Sequence, residues 1–361
     1  MLRIVVVDDS ALYRQLIQNV LREVPFVQVV GMARSGAEAL AQVDDLAPDL
    51  LTLDVRMPEG DGIQVLQELK KRRSKTKAIM VSSLTANGAQ VTMDALLEGA
   101  FDFILKPGSP DAAANRQALL AALSDKINTY RDSQIRRVAV RRSMIAPRPP
   151  GEARPAAVRK PTSGCDVVVI GTSTGGPVAL REVLSHLPGE LPIPVLIVQH
   201  MPPQYTHSLA QRLNENSPLE VVEACDGMTL EPGWAFLAPG GRQMKVTPRR
   251  PRSKIQITDD PPEHSVRPSV DYLFRSVAEV FGGRVLAVVM TGMGRDGTEG
   301  CRLLKAQGAT VFAQHPEGCV VYGMPKAVAD EDLADRILPL TELAAAITQH
   351  VVPVSSPRHD S

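Results

Sequence analysis

The sequence predicts an α/β chain made of two doubly wound parallel sheets, the second bearing a small antiparallel hairpin. Three observations lead there. Short apolar runs alternate with helical patterns along both halves of the chain. Acidic and hydroxyl residues stand just beyond the C-terminal ends of several apolar runs, where open parallel sheets gather their sites. A basic, proline-rich stretch separates the halves.

In the first half, Ile4–Val7, Val27–Gly31, Leu50–Leu53, Ala78–Ser82 and Phe103–Leu105 read as strands, being short apolar runs. Ala11–Arg22, Gly36–Leu46, Gly62–Lys71 and Gln90–Gly99 read as the helices between them. Five strands alternating with helices give a five-stranded doubly wound unit over residues 1–125. From 126 to 163 the composition turns basic, with Arg136-Arg137, Arg141-Arg142 and Ala146-Pro147-Arg148-Pro149-Pro150-Gly151. Low hydrophobicity and many prolines cannot offset ordering entropy, so a flexible linker is expected there.

The second unit is placed at residues 164–350. Strands are expected at Val167–Ile170, Val195–Val198, Ala235–Leu237, Val285–Thr291 and Thr310–Ala313. Met244–Ile257 alternates apolar and polar residues around Pro248–Arg252, which reads as a hairpin. Residues 351–361 are polar and read as a flexible tail.

The chain has 361 residues, 44% apolar and 22% charged, within the ordinary globular range. A formal net charge of zero and only 4% aromatic residues argue against a nucleic-acid partner, as does the lack of a helix-turn-helix signal. Cys165, Cys225, Cys301 and Cys319 are far apart and form no metal or disulfide pattern, so free buried thiols are expected. The first apolar run ends at Asp8-Asp9 and is no signal peptide. No run approaches the roughly 18 apolar residues of a membrane span, so no membrane insertion and a cytoplasmic location are expected.

Asp8 and Asp9 follow the first strand, Asp54 ends the third, Ser82 ends the fourth and Lys106 follows the fifth. In a parallel sheet these ends converge. Three carboxylates together repel and need a cation, and all-oxygen ligation suits Mg²⁺. A carboxylate beside that cation can attack a phosphoryl donor and become an acyl phosphate, while Lys106 and Ser82 hold the phosphoryl oxygens. The plainer reading, helix N-caps, explains a single Asp but not the set.

Residues 1–107 resemble a response-regulator receiver domain. Val7-Asp8-Asp9-Ser10, Asp54 with Arg56-Met57-Pro58 and Asp61-Gly62, Ser82, and Lys106-Pro107 carry the resemblance. It implies that Asp54 is the phosphoacceptor and that Asp8, Asp9 and Asp54 bind Mg²⁺ with the Arg56 backbone carbonyl. Phe103 falls at the family's aromatic switch position; it also reads as a plain core residue.

In the second unit Gly171-Thr172-Ser173-Thr174-Gly175 follows an apolar run and precedes a helical pattern. That context fits a nucleophile elbow, in which a sharp turn lifts the serine hydroxyl above the sheet; it also fits a strand–helix turn of small residues. A serine needs a base and a group to orient that base. Of seven histidines, His200 alone directly follows a strongly apolar strand; the others fall in helical, loop or tail contexts. Asp296, within Met290-Thr291-Gly292-Met293-Gly294-Arg295-Asp296-Gly297, follows the most apolar strand of the unit. Singly, His200 reads as a helix cap and Asp296 as a turn residue; together with Ser173 at a third strand end they read as a triad. The order Ser, His, Asp excludes the α/β-hydrolase fold, whose order is Ser, Asp, His. No Lys-Ser/Thr follows the glycines, which excludes a P-loop.

This order and the local sequences resemble the CheB-type protein-glutamate methylesterases of bacterial chemotaxis. The matching segments are Ile170–Gly176, Val198–Pro202, Leu237–Gly241, Arg267–Asp271, Thr291–Gly297 and Tyr322–Pro325. The resemblance implies hydrolysis of glutamate methyl esters on methyl-accepting chemotaxis receptors, deamidation of receptor glutamines, and a histidine kinase as phosphodonor. It implies backbone N–H groups near Thr174 and Met293 as the oxyanion hole, no cofactor for the ester reaction, and an unphosphorylated receiver that restrains the esterase. Gln243 departs from the family pattern, in which histidine is expected. Two other readings are a phosphorylation-dependent binding regulator that has lost catalysis, and an esterase acting on some other methylated protein.

Overall fold

Buried aliphatic strands form the middle layer of each unit, so every strand must be covered on both faces by helices. In this computed structural model residues 1–57, 61–83, 86–145 and 164–352 are described. The chain divides into two compact units, the first ending at Val138.

The first unit runs β1 (Leu2–Val7), α1 (Ala11–Leu21), β2 (Val27–Ala33), α2 (Gly36–Leu46), β3 (Leu50–Asp54), α3 (Gly62–Lys71), β4 (Lys77–Ser82), α4 (Ala86–Leu97), β5 (Asp102–Leu105) and α5 (Ala112–Ile145). The sheet order is β2-β1-β3-β4-β5, and every pairing is parallel. Ile4 to Val7 and Leu50, Leu51 and Leu53 are fully buried, as the apolar runs require. Strand order reverses at β1, so the crevice beyond β1 and β3 is the natural place for a site.

Helix α5 departs from the sequence expectation. It passes residue 125 and runs to Ile145, where a flexible linker was expected from 126. Leu119, Leu123, Ile127 and Tyr130 are buried at helical spacing, and the Tyr130 hydroxyl donates to the Asp49 carbonyl at 3.1 Å. The Tyr130 ring meets Phe101 edge-on, with centroids 5.2 Å apart. The basic average over the window hid this narrow apolar stripe. The rest of the expected linker, 146–163, lies outside the described residues, as do Pro58 and residues 353–361 of the expected tail. Val351, assigned to that tail, ends the last helix.

The second unit contains β6 (Val167–Thr172), α6 (Gly176–Ser185), β7 (Val195–Gln199), α7 (Pro203–Asn214), β8 (Glu220–Glu223), β9 (Trp234–Leu237), β10 (Gln243–Thr247) and β11 (Lys254–Thr258). It continues with α8 (Val270–Phe281), β12 (Val285–Val289), α9 (Thr298–Ala306), β13 (Thr310–Gln314), α10 (Met324–Asp330), β14 (Arg336–Leu338) and α11 (Leu340–Val351). Seven strands pair in the order β14-β13-β12-β6-β7-β9-β8, all parallel. The two outermost, β8 and β14, were not anticipated; they are edge strands of four and three residues, too short to give a periodic signal. β10 and β11 form the expected antiparallel hairpin, apart from the main sheet. Hairpin and α8 are tied by the Val246 N–H, which donates to Ser276 Oγ at 3.0 Å.

All four cysteines are free. Cys301 and Cys319 are buried, but Cys165 is half-buried and Cys225 exposed, so uniform burial does not hold.

Ile127 tests whether α5 belongs to the first unit. Ile127→Ala in the full chain is expected to cost about 2–5 kcal/mol of that unit's stability, read from denaturant unfolding. A solvated tether residue would show a change within about 0.5 kcal/mol.

Candidate active site and a companion carboxylate site

β6 and β12 are neighbours at the point where strand order reverses in the second sheet, and β7 lies on the other side of β6. Ser173 follows β6, His200 follows β7, and Asp296 lies in the segment from β12 to α9. The topology therefore delivers all three to one end of one sheet.

Ser173 sits in the turn between β6 and α6. Gly175 takes φ 82°, the left-handed region open to glycine, and the Gly176 N–H closes the turn on the Ser173 carbonyl at 2.8 Å. Side chains on the neighbouring strand ends fix this turn. The Ser173 N–H donates to the Thr291 carbonyl at 3.0 Å, and Thr291 Oγ1 donates to the Thr174 carbonyl at 2.9 Å. Gln314, ending β13, accepts the Thr291 N–H at 2.8 Å.

Gln199 joins serine to histidine. Its Nε2 donates to the carbonyls of both Ser173 and His200, each at 3.0 Å, and its Oε1 accepts from Thr172 Oγ1 at 2.5 Å. The His200 N–H donates to the Thr172 carbonyl at 3.1 Å. A Cβ on Gly176 would stand 1.8 Å from Gln199 Oε1, so the amide fits only because that position is glycine.

His200 Nε2 and Asp296 Oδ2 are 2.8 Å apart, with Asp296 buried and the imidazole nearly so. Asp296 lies at the amino end of α8. Its Oδ1 accepts from Ser269 Oγ at 3.0 Å and from the Asp271 N–H at 2.9 Å; its Oδ2 accepts from the Val270 N–H at 2.7 Å. Burial opposes this carboxylate's charge, but His200 and the α8 N–H groups outweigh it and hold the acid below the usual range. It is therefore an anion at neutral pH, and it meets the Nε2 end of the imidazole.

Thr174 is buried immediately after Ser173 at the start of α6. Met293 is exposed and follows Gly292, whose Cβ position lies 2.8 Å from Ser173 Cβ. The two expected oxyanion residues thus flank the serine. Gln243 is fully buried: its Oε1 accepts the Ser269 N–H at 2.9 Å and its Nε2 donates to the Pro261 carbonyl at 3.1 Å. It is closed off from solvent and braces the α8 cap residue Ser269.

In the first unit the carboxylate oxygens of Asp8, Asp9 and Asp54 lie within 4.8 Å of one another, with Asp9 exposed to solvent. Three hard oxygen donors with an open side fit Mg²⁺. Lys106 Nζ stands 2.8 Å from Asp8 Oδ2 and 2.7 Å from Asp54 Oδ2. Burial raises the Asp54 carboxyl above its ordinary value, an effect that Lys106 partly offsets. Burial also works against the Lys106 ammonium, but its bonds to Asp54 and Asp8 prevail and raise it. Ser82 is buried, with Oγ 2.7 Å from Thr92 Oγ1, and it ends the strand next to Asp54. The Arg56 N–H points toward Asp54 Oδ1 at 3.5 Å. Phe103 is buried in β5.

Sequence reasoning missed Gln199, Thr291, Gln314 and Ser269. Gln199, Thr291 and Gln314 share one available signal: each is a polar residue closing an otherwise apolar strand run.

Residues 168–347 match the CheB methylesterase family and residues 4–117 the response regulator receiver domain. A protein-glutamate methylesterase/protein-glutamine glutaminase of Desulfotalea psychrophila is 47% identical over 358 residues, covering 97% of this chain and 98% of that protein. The chain belongs to the CheB methylesterase family. A protein of the same description from Trichodesmium erythraeum is 40% identical, covering 97% of this chain and 99% of its own. The crystal structure of the Thermotoga maritima CheB methylesterase catalytic domain superposes with a TM-score of 0.51 at 40% identity, over 52% of this chain and 99% of that one. Both family domains are thus present in one chain.

Two measurements test the carboxylate site. Mg²⁺ is expected to stabilise the full chain, by about 1.4 kcal/mol at ten times its dissociation constant, and Asp8→Asn should abolish the effect. Without divalent cation, the raised Asp54 carboxyl makes the folded state bind the proton more tightly than the unfolded state. Stability should therefore rise as pH falls through the raised value, and this rise should vanish in Asp54→Asn.

Proposed function

We propose that the chain hydrolyses glutamate 5-O-methyl esters on chemoreceptors to glutamate and methanol, deamidates receptor glutamines, and is activated by phosphorylation of Asp54. The observation that carries the catalytic part is the His200–Asp296 contact at 2.8 Å, set at the same sheet end as the Ser173 turn.

Ser173 Oγ attacks the side-chain carbonyl carbon while His200 Nδ1 takes its proton. Asp296 holds the imidazolium that forms. The carbonyl oxygen becomes an oxyanion, received by backbone N–H groups at Thr174 and Met293, beside the amino end of α6. Collapse expels methanol from an ester, or ammonia from a glutamine, with the proton returned by His200. Water, deprotonated by His200, then cleaves the acyl-serine and releases glutamate. Proton transfer needs no group beyond these side chains.

In the first unit Asp54 takes a phosphoryl group from a histidine kinase, becoming an acyl phosphate. Asp8, Asp9, Asp54 and the Arg56 carbonyl would hold Mg²⁺, which neutralises charge on the transferring group. Lys106, now bridging Asp8 and Asp54, would turn to the phosphoryl oxygens together with Ser82. No helix among the described residues is long and apolar enough to cross a membrane. The enzyme's place in this reading is the cytoplasm, where it meets the cytoplasmic helices of its receptors.

Methanol release from methylated receptor tests the reading. Ser173→Ala is expected to reduce turnover roughly 10⁴–10⁶-fold. Asp54→Asn should keep the unstimulated rate and lose its response to a small phosphodonor. An active Ser173→Ala protein removes the serine mechanism; wild-type chain that binds receptor without releasing methanol or ammonia favours a binding regulator.

A further inference from the structure

A second histidine–aspartate pair stands directly behind the first. His264 Nε2 lies 3.0 Å from Asp271 Oδ2, and the carboxylate oxygens of Asp271 and Asp296 lie within 4.8 Å of each other and of His264. Asp271 is buried in the first turn of α8. Its own N–H donates to Asp296 Oδ1 at 2.9 Å, while its Oδ1 accepts the Gly300 N–H at 2.7 Å, in the first turn of α9. Each acid therefore sits at a helix amino end, and each carries a histidine. The triad description accounts for only one pair.

The backbone around His264 is a tight turn closed by reciprocal bonds between Glu263 and Val266, at 3.2 and 2.9 Å. His264 and Ser265 both occupy the left-handed region, at φ 50° and 63°, which costs non-glycine residues of order 1 kcal/mol each. Arg275 of α8 anchors the turn through Glu263. The turn directs an imidazole inward onto a buried acid while leaving its ring 43% exposed, so the pair stays in contact with solvent protons.

We infer that His264 and Asp271 are positioning residues for the ester reaction, acting through Asp296 to set how strongly His200 holds a proton. This rests on the assignment of Ser173, His200 and Asp296 as the triad. A negative Asp271 next to Asp296 favours the imidazolium of His200; a neutral one favours the free base. The titratable groups facing Asp271 are Asp296 from the segment before α9, His264 from the turn before α8, and Cys301 of α9, with Lys305 farther along α9 and the Glu263–Arg275 pair flanking His264. Burial, with Asp296 adding to it, pushes the Asp271 carboxyl up to about 6, so its charge changes near neutral pH.

The test combines two readouts on the full chain: the pH profile of kcat/KM for methyl-ester hydrolysis, and the titration of the His200 ring by NMR. Asp271→Asn removes the charge but keeps an acceptor for the Gly300 N–H. His264→Gln removes, at a partly exposed position, the imidazole that lowers Asp271, so the acid stays neutral to higher pH; it serves if Asp271→Asn does not fold. Both are expected to move the His200 midpoint and the acid limb of the profile to lower pH, by roughly half to one unit. Unmoved midpoints overturn the inference, even with reduced kcat, because a purely structural role lowers rate without shifting the limb. A Ser173→Ala control separates the two readings: if it stays active the triad assignment fails, while the NMR midpoint still decides whether Asp271 acts on His200.

Discussion

The catalytic unit depends on one contact, the seating of the Asp296 carboxylate on the amino end of α8. A buried anion without partners would protonate or displace the elements around it. Here two backbone N–H groups, one hydroxyl and one imidazole satisfy both oxygens. The charge is thereby kept, and with it the orientation of His200. Much of the rest serves to hold α8 in that place. Gln243, on the first strand of the hairpin, accepts the N–H of the cap residue Ser269. Ser276, about two turns farther along, fixes the next strand residues through Val246. By sheet topology the hairpin is an accessory, since among the described residues it pairs with no strand of the main sheet. By hydrogen bonding it is the footing of the acid.

That footing explains which features were legible in the sequence. Strand ends were legible, because fully buried strands must be written as apolar runs and the residue that follows each run is fixed in space by sheet register. Ser173, His200, Asp8, Asp54 and Lys106 were singled out this way, and Asp296 by the glycine-flanked segment that leaves β12. What lay off the strand ends was not. Ser269 and Gln243 act from a loop and a hairpin, where no periodicity announces a neighbour. His264 looked like a loop histidine because its partner, Asp271, belongs to a helix whose amino end is defined only after folding. Gln199 and Gln314 were within reach: a polar side chain closing an apolar strand seeks partners once buried, and both ends of the Gln199 amide and the Oε1 of Gln314 find them around the serine turn. The tail of α5 was lost for another reason. A composition window weighs all residues alike, whereas a helix needs only one apolar stripe to stay on its sheet.

The two functional centres solve one physical problem in different ways. Each gathers buried carboxylates at a sheet's C-terminal end. In the esterase unit the balancing groups are backbone dipoles, a hydroxyl and an imidazole, all fixed by the fold, which suits a site that must present the same geometry at every turnover. In the receiver the balancing group is the Lys106 ammonium on a flexible stem, shared between Asp8 and Asp54. A movable cation is what a switch needs: under the phosphorylation proposed for Asp54, the ammonium would follow the new charge and the surrounding strand ends would adjust to its departure. Fixed dipoles could not report such an event, and a wandering ammonium could not hold a catalytic imidazole. The proposed division of labour, one unit that changes its charge and one that keeps it, follows from that difference.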